Sequence, residues 1–371
     1  MDHHAQRQER LARQLHTLDL DALLISSPHN VTYLTGFSGD STYFVFAPPR
    51  AILLSDPRYL GQLADECPTV ETSIRTPTTP LNQAAGQLLT SLGFRRVGIE
   101  AAGLTLEAAE ALRAAGPTIT WVPGPSPVDN LRMVKDAVEI EAIREAISIA
   151  ERAFLALRSL MRPDDTEKDL ADALEAHVRR CGGLTCAFPP ICAVGTRAAL
   201  PHCPPTSRRV HESGLLLVDW GATGPTGYRS DLTRVLPTHT KHTSADPHLP
   251  HIHAIVQRAQ RAAFQAIRPG VLAREVDAAA RSVIAEAGYA ECFQHGLGHG
   301  IGLQIHEAPF FRATSEVCLE PGMIVTLEPG IYLPDWGGVR IEDDVLVTPS
   351  GAEQLTTLPQ DLASMTVFAR A

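Results

Sequence analysis

An acidic residue at the end of an unbroken apolar run constrains this chain more than any other feature: Leu215-Leu216-Leu217-Val218-Asp219-Trp220. The run has the length and residue types of a buried strand. A carboxylate there is costly unless it is paired or coordinates a cation. The pattern recurs. Asp231 sits in the strand-like segment Tyr228 to Val235, beyond a turn at Gly224-Pro225-Thr226-Gly227. Glu328 closes Met323-Ile324-Val325-Thr326-Leu327, and Glu342 lies in the segment Val339 to Val347, beyond a turn near Pro334 to Gly338. Two acidic hairpins converging on one core would set four carboxylates against one another, and no lysine or arginine cluster of that size stands near them in sequence. Two divalent cations would neutralise four carboxylates, and hard oxygen ligands with one imidazole suit Mn, Co or Zn.

The rest of the chain supplies a frame for those hairpins. At 371 residues it exceeds what one hydrophobic core usually serves, so two domains are expected. In the N-terminal third, Ala22 to Ser26, Tyr43 to Phe46 and Ala51 to Leu54 read as strands. Arg58 to Cys67, Leu81 to Leu92 and Leu106 to Ala115 read as helices, giving an α/β domain with a mixed sheet. The stretch Gly116-Pro117 through Pro127 is too proline-dense to continue either element, which puts the boundary there: residues 1–128 and 129–371. A long helix follows, about Lys135 to Met161. Two similar restarts, Met161-Arg162-Pro163-Asp164-Asp165-Thr166 and Ile267-Arg268-Pro269-Gly270-Val271-Leu272, each combine Arg-Pro and a polar cap with an Ala-rich helix running to Gly182 or Gly288. Each helix is followed by one of the acidic hairpins, so the second domain is expected to be a duplicated helix–helix–hairpin unit with its halves facing each other.

Composition excludes several classes. The formal net charge of −10 argues against a nucleic-acid footprint and a polybasic membrane surface. No apolar run approaches a membrane span, no signal-peptide core is visible, and seven cysteines without a Cys-x-x-Cys pair suit reduced thiols in a cytoplasm.

The imidazole candidate lies in His295-Gly296-Leu297-Gly298-His299-Gly300-Ile301-Gly302. Its glycine spacing differs from a dinucleotide fingerprint and no helix follows. The interleaved glycines also argue against His295 and His299 as an i, i+4 helical pair, and instead permit close backbone approach to a site.

Taken in order, Asp219-Trp220-Gly221, Ser230-Asp231-Leu232-Thr233-Arg234, Gly298-His299-Gly300-Ile301-Gly302 with His306-Glu307, Glu328-Pro329-Gly330-Ile331-Tyr332 and Arg340-Ile341-Glu342-Asp343-Asp344 resemble the pita-bread metallopeptidase family. The resemblance is to its proline-specific branch, the Xaa-Pro aminopeptidases and Xaa-Pro dipeptidases (prolidases). Asn30 to Phe37 and Ser55 to Tyr59 look like that branch's creatinase-like N-terminal domain. The resemblance implies five metal ligands, Asp219, Asp231, His299, Glu328 and Glu342, with Asp231 and Glu342 bridging two ions. It implies that His202 and His306 contact substrate and that His295 and Arg340 lie near the proline side of the pocket; a proton shuttle on Glu328 is the mechanistic expectation set beside it. Two ions sharing a water would lower its pKa toward neutrality. Short proline-containing peptides are the implied substrates, manganese the first metal expected, and a homodimer the implied assembly.

Other readings set beside these are a non-enzymatic pita-bread binding module, a metal-free creatinase-like enzyme, a methionine aminopeptidase and a two-metal phosphoesterase. Cys203 beside His202 is weighed as a nucleophile, and Trp220, where phenylalanine is common, as a change in pocket shape. Arg340 is weighed as a structural ion pair with Asp343 or Asp344. His239, His242, His248, His251 and His253 are read as a solvated loop running into a helix, and Glu139, Glu141, Arg144 and Glu145 as a solvated helix face with i, i+4 pairing.

Overall fold

Alternating apolar runs in the N-terminal third build one twisted mixed sheet. The computed structural model describes residues 3–15, 17–239 and 246–368, and the chain divides into two compact units, Met1–Arg132 and Met133–Ala371. In the first unit the strands are β1 (Ala22–Ile25), β2 (Tyr43–Ala47), β3 (Arg50–Ser55), β4 (Glu71–Ile74), β5 (Arg96–Glu100) and β6 (Thr120–Gly124), ordered β4-β3-β2-β1-β5-β6. β1 pairs β2 antiparallel and β5 parallel, which makes the sheet mixed. Helices α1 (His3–Leu15), α2 (Pro28–Thr35), α3 (Leu60–Glu66), α4 (Leu81–Ser91), α5 (Leu106–Ala115) and α6 (Pro127–Met133) complete the order. The proline-dense segment is not merely a linker. It contains β6, which among the described residues pairs only with β5. An edge strand tolerates Pro123 because a ladder bond is needed on one side only. One buried carboxylate holds this unit together: Glu100 accepts from Ser26 N and Ser27 N, each at 2.7 Å, from Asn30 Nδ2 at 2.7 Å and from Ser126 Oγ at 2.7 Å.

The second unit opens with α7 (Ala137–Leu160), started by a capping box in which Asp136 and Glu139 exchange side-chain and backbone bonds. α8 (Glu167–Arg180) repeats the device with Thr166 and Asp169, and ends before Gly182 at φ +101°. Strands β7 (Thr185–Cys186), β8 (Ile191–Val194), β9 (Leu215–Trp220), β10 (Ala222–Thr223) and β11 (Leu232–Pro237) follow, with a sheet ordered β11-β9-β8. The second helix pair is α9 (Leu249–Ala266) and α10 (Ala273–Glu286), the latter ending before Gly288 at φ +88°. Here the expected polar cap is absent: Leu272 is the N-cap, and only the Glu275 carboxylate reaches back to its N–H, at 3.0 Å. Then come β12 (Gly298–Gly300), β13 (Glu307–Phe311), β14 (Ile324–Leu327), β15 (Gly330–Leu333), β16 (Gly337–Arg340), β17 (Asp343–Thr348), β18 (Gly351–Gln354) and the short α11 (Leu362–Met365). Their main sheet is ordered β13-β12-β14-β17-β18.

Period-two alternation sorts the side chains of β9. Leu216, Val218 and Trp220 join the core cluster of α7 and α8, whereas Leu215 and Leu217 join that of α9 and α10. Asp219 therefore falls on the Leu215–Leu217 face. Trp220 points away from it, stacked on Phe154 with centroids 4.2 Å apart and donating to Ala150 O at 2.9 Å. The expectation that Trp220 reshapes a pocket is thus corrected; it is a core residue.

Three further expectations change. The second acidic hairpin is not continuous: β14 pairs β17 and β15 pairs β16, with breaks at Glu328-Pro329 and Ile341-Glu342. Pro329 has no N–H to donate to the ladder. Glu139 is not on a solvated face but buried at 1% exposure, accepting from Tyr228 OH at 3.0 Å. His251 and His253 lie inside α9, with His253 buried, and His242 lies outside the described residues. Among the described residues no helix is long and apolar enough to cross a membrane.

Candidate metal centre

The two ribbons meet where β11 approaches the break before β17. Glu342 N donates to Thr233 O at 3.3 Å, an isolated bridge between the sheets. Asp231, two residues before Thr233, and Glu342 thereby come together, and β12 adds His299. These three offer ligand atoms that all lie within 4.8 Å of one another. Glu328 joins through its Oε1, 3.4 Å from His299 Nε2, whose distance to Asp231 Oδ2 is 3.6 Å. Asp219 is gripped through Oδ2 by Arg340, and its Oδ1 is buried without a hydrogen-bond partner. Glycines make the approach of β12 possible: a Cβ on Gly298 would lie 2.1 Å from Thr326 O and one on Gly300 2.3 Å from Ala308 O.

The chemistry of these donors fits divalent cations. His299 Nδ1 is 3.1 Å from Gly300 O, which can only accept, so Nδ1 carries the proton. The lone pair of Nε2 then faces Asp231 and Glu328, which in their ionised form can only accept. Burial holds the His299 pKa down at about 4, so a ring proton does not fill that gap near neutrality. Glu100 in the first unit shows how this chain satisfies a buried carboxylate with donors alone; the acids here lack such donors. Glu342 accepts from one hydroxyl, Thr233 Oγ1 at 2.6 Å. Four carboxylates face one guanidinium, that of Arg340.

The electrostatics register the deficit. Burial, then the charges of Glu342, Asp219 and Glu328, push Asp231 well above the usual carboxylate range. Burial, then Glu328 and Asp219, do the same to Glu342. Burial raises Glu328 to about 8 even though the Arg340 charge opposes it. Burial also raises Asp219, again against the pull of Arg340.

A cavity of about 250 Å³ opens beside this cluster, lined by His202, His295, His299, His306, Glu328 and Arg340 among others. His202 and His306 are exposed at its mouth, and the His306 ring meets His299 edge-on, with centroids 4.4 Å apart. His295 is half-buried. Its Nδ1 lies 2.7 Å from Gly296 O and its Nε2 2.9 Å from Tyr332 OH, so Tyr332 donates to it. Arg340 in turn donates to Tyr332 OH at 2.8 Å and to Thr233 Oγ1 at 3.0 Å. The ion pair weighed for Arg340 with Asp343 or Asp344 does not form; its carboxylate is Asp219, and Asp343 belongs to Arg234. Cys203 is fully buried, and burial raises its thiol pKa, which removes it as a nucleophile.

Thr233 and Tyr332 were not singled out by sequence reasoning. Thr233 had a readable signal, since it stands two residues from Asp231 and shares its strand face. Tyr332 had none beyond its place in Glu328-Pro329-Gly330-Ile331-Tyr332, because its partner His295 arrives from the loop before β12 and Arg340 from β16.

Comparison with known proteins gives the family and the fold. Residues 141–349 match the model for metallopeptidase family M24, and residues 7–134 that for the creatinase/prolidase N-terminal domain. An Xaa-Pro dipeptidase of Pyrococcus horikoshii is 33% identical over 92% of this chain and 94% of its own length. The structure of an Xaa-Pro dipeptidase from Bacillus anthracis superposes with a TM-score of 0.92 at 34% identity, covering 98% of this chain and all of the other. That of an X-Pro aminopeptidase from Thermotoga maritima gives 0.87 at 33% identity, with 97% and 100% covered.

Proposed function

The chain belongs to metallopeptidase family M24, and on that premise we propose that it hydrolyses the bond between an N-terminal residue and proline in short peptides, as an Xaa-Pro dipeptidase or Xaa-Pro aminopeptidase. The observation that carries the reading is the inward-facing set of acceptors at His299 Nε2, Asp231, Glu328 and Glu342, with few donors to balance it. In this reading Asp219, Asp231, His299, Glu328 and Glu342 would hold two divalent cations. When bound, the cations supply Lewis acidity toward the scissile carbonyl and a water acidified toward neutrality.

The chain's own groups do the rest. Glu328 takes a proton from the attacking water on its carboxylate and returns it to the leaving proline nitrogen. The imidazoles of His306 and His202, at the cavity mouth, stabilise charge that develops on the carbonyl oxygen. Proline offers no N–H and a fixed φ, so its subsite needs a shaped apolar surface more than an amide acceptor. Neutral His295, its pKa held at about 4 by burial and its orientation fixed by Tyr332, provides such a face beside Arg340. By family likeness the reading extends to manganese as the first metal, a homodimer and a cytoplasmic location.

Turnover of Ala-Pro, Ala-Pro-Ala and p-nitrophenyl phosphate with manganese, together with metal content by mass spectrometry, tests it. Cleavage of at least one proline peptide and none of the phosphate ester is expected. Phosphate ester cleavage alone, or a protein that takes up no divalent cation, would overturn it.

A further inference from the structure

Behind the acidic cluster, facing away from the cavity, lies a second and fully satisfied ionic network. Arg234 is 1% exposed and uses every part of its guanidinium. NH1 donates to Thr233 O at 2.9 Å and to Glu342 O at 2.7 Å, so one nitrogen spans the two ribbons where they bridge. NH2 donates to Asp343 Oδ1 at 2.6 Å and Leu358 O at 2.8 Å, and Nε to Pro359 O at 2.9 Å. The Asp343 carboxylate also accepts from the Thr356 hydroxyl, from Gln260 Nε2 at 2.8 Å and from Gln360 Nε2 at 2.6 Å. Gln260, from α9, reaches on to Leu327 O at 3.1 Å and Ile341 O at 3.3 Å, the residues preceding Glu328 and Glu342. The network thus grips the main chain at or beside Glu342 and Glu328, and two residues from Asp231, without touching their carboxylates.

Stability alone is a poor reason for such a pair. A buried ion pair can usually be replaced by packed apolar residues at no loss. The main-chain link it reinforces is a single 3.3 Å hydrogen bond among the described residues. Arg340 to Asp219 and Asp231 N to Asp344 Oδ2, at 3.1 Å, also cross between the ribbons, but the surplus charge there is negative and pushes them apart. We propose that Arg234 and Asp343 are positioning residues, which fix the spacing between the two ribbons so that Asp231 and Glu342 take cations as a preformed pair. Gln260 extends the same hold to Glu328. The inference rests on the metal-site reading above, and Arg234, Asp343 and Gln260 do not line the cavity beside the acids.

The test uses the full chain stripped with chelator. Arg234→Lys, Asp343→Asn and the apolar exchange Arg234→Met with Asp343→Leu are checked for fold by circular dichroism, and Mn²⁺ affinity is measured by calorimetric titration. Gln260→Leu serves as the variant least able to disturb folding. The expected result is a loss of roughly 10–100-fold in Mn²⁺ affinity in the folded variants, with turnover partly rescued by excess Mn²⁺ and Arg234→Lys milder than the apolar exchange. Folded variants that bind Mn²⁺ as the natural chain does, whatever their melting temperature, would overturn the positioning role. Wild-type protein that takes up no Mn²⁺ would instead remove the metal-site reading and the inference with it.

Discussion

Thr233 donates its hydroxyl to Glu342 Oε2 at 2.6 Å, and the same oxygen accepts from Arg340 Nε at 3.0 Å. The Thr233 hydroxyl thus relays between a cation and an anion that make no direct hydrogen bond among the described residues. Thr233→Val removes both bonds while nearly keeping the volume. It should cost about 1–3 kcal/mol of stability, since a buried carboxylate loses its donor. The fall in kcat/KM on an Xaa-Pro peptide should be tenfold or more. Calorimetric unfolding and steady-state kinetics check this; a variant matching the natural chain in both would contradict it.

Glu328→Gln separates proton transfer from metal holding. The amide keeps one ligand oxygen but cannot carry the proton. With metal content unchanged by mass spectrometry, kcat should fall by roughly 10²–10⁴-fold. Near-full turnover with both cations bound would rule out the shuttle.

Chelated protein should weaken as pH rises. Glu328 has its pKa raised from 4.5 to about 8, and burial with neighbouring charge raises Asp231 and Glu342 in the same direction. A carboxyl with a raised folded pKa favours the folded state fully below its unfolded pKa. That advantage is lost as pH climbs through the folded value. For Glu328 the window runs from 4.5 to about 8. Melting temperature in chelator should therefore drop between those limits, and the upward shift on adding Mn²⁺ should grow. A shift independent of pH would count against the site.

Two residues beside the motifs should leave catalysis nearly untouched. Trp220→Phe loses its indole bond to Ala150 O and part of the stack on Phe154. It should destabilise the protein by about 1–3 kcal/mol while KM stays within about twofold, a change worth only about 0.4 kcal/mol. Cys203→Ala, at a fully buried thiol, should retain kcat. A large rise in KM for the first, or abolished turnover in folded protein for the second, would return these side chains to the pocket.

The acids were legible because each breaks an apolar pattern. Asp219 ends a run of four apolar residues, and burial there demands a partner whatever the fold. Helix stops at Gly182 and Gly288 were equally local in cause, whereas the helices restart only at Glu167 and Ala273, past the turns that hold Pro163 and Pro269. Less was legible where the partner is distant in sequence. The Arg340 carboxylate is Asp219, 121 residues away, not its neighbours Asp343 and Asp344. Glu139 looked solvated because its charged neighbours on α7 are, and only Tyr228, 89 residues on, shows that it is buried. The edge position of β6, which admits Pro123, depends on sheet order and has no signature of its own.

The sequence by itself determined which side chains had to find compensation: acids in strands that period-two alternation buries, and a histidine among glycines that admit close backbone approach. Those are properties of short segments, governed by solvation and chain geometry. Which atoms meet was decided by tertiary structure. The break at Pro329, the single bridge from Thr233 to Glu342 and the grip of Arg234 on both ribbons set the distances, and electrostatic energy depends on distance.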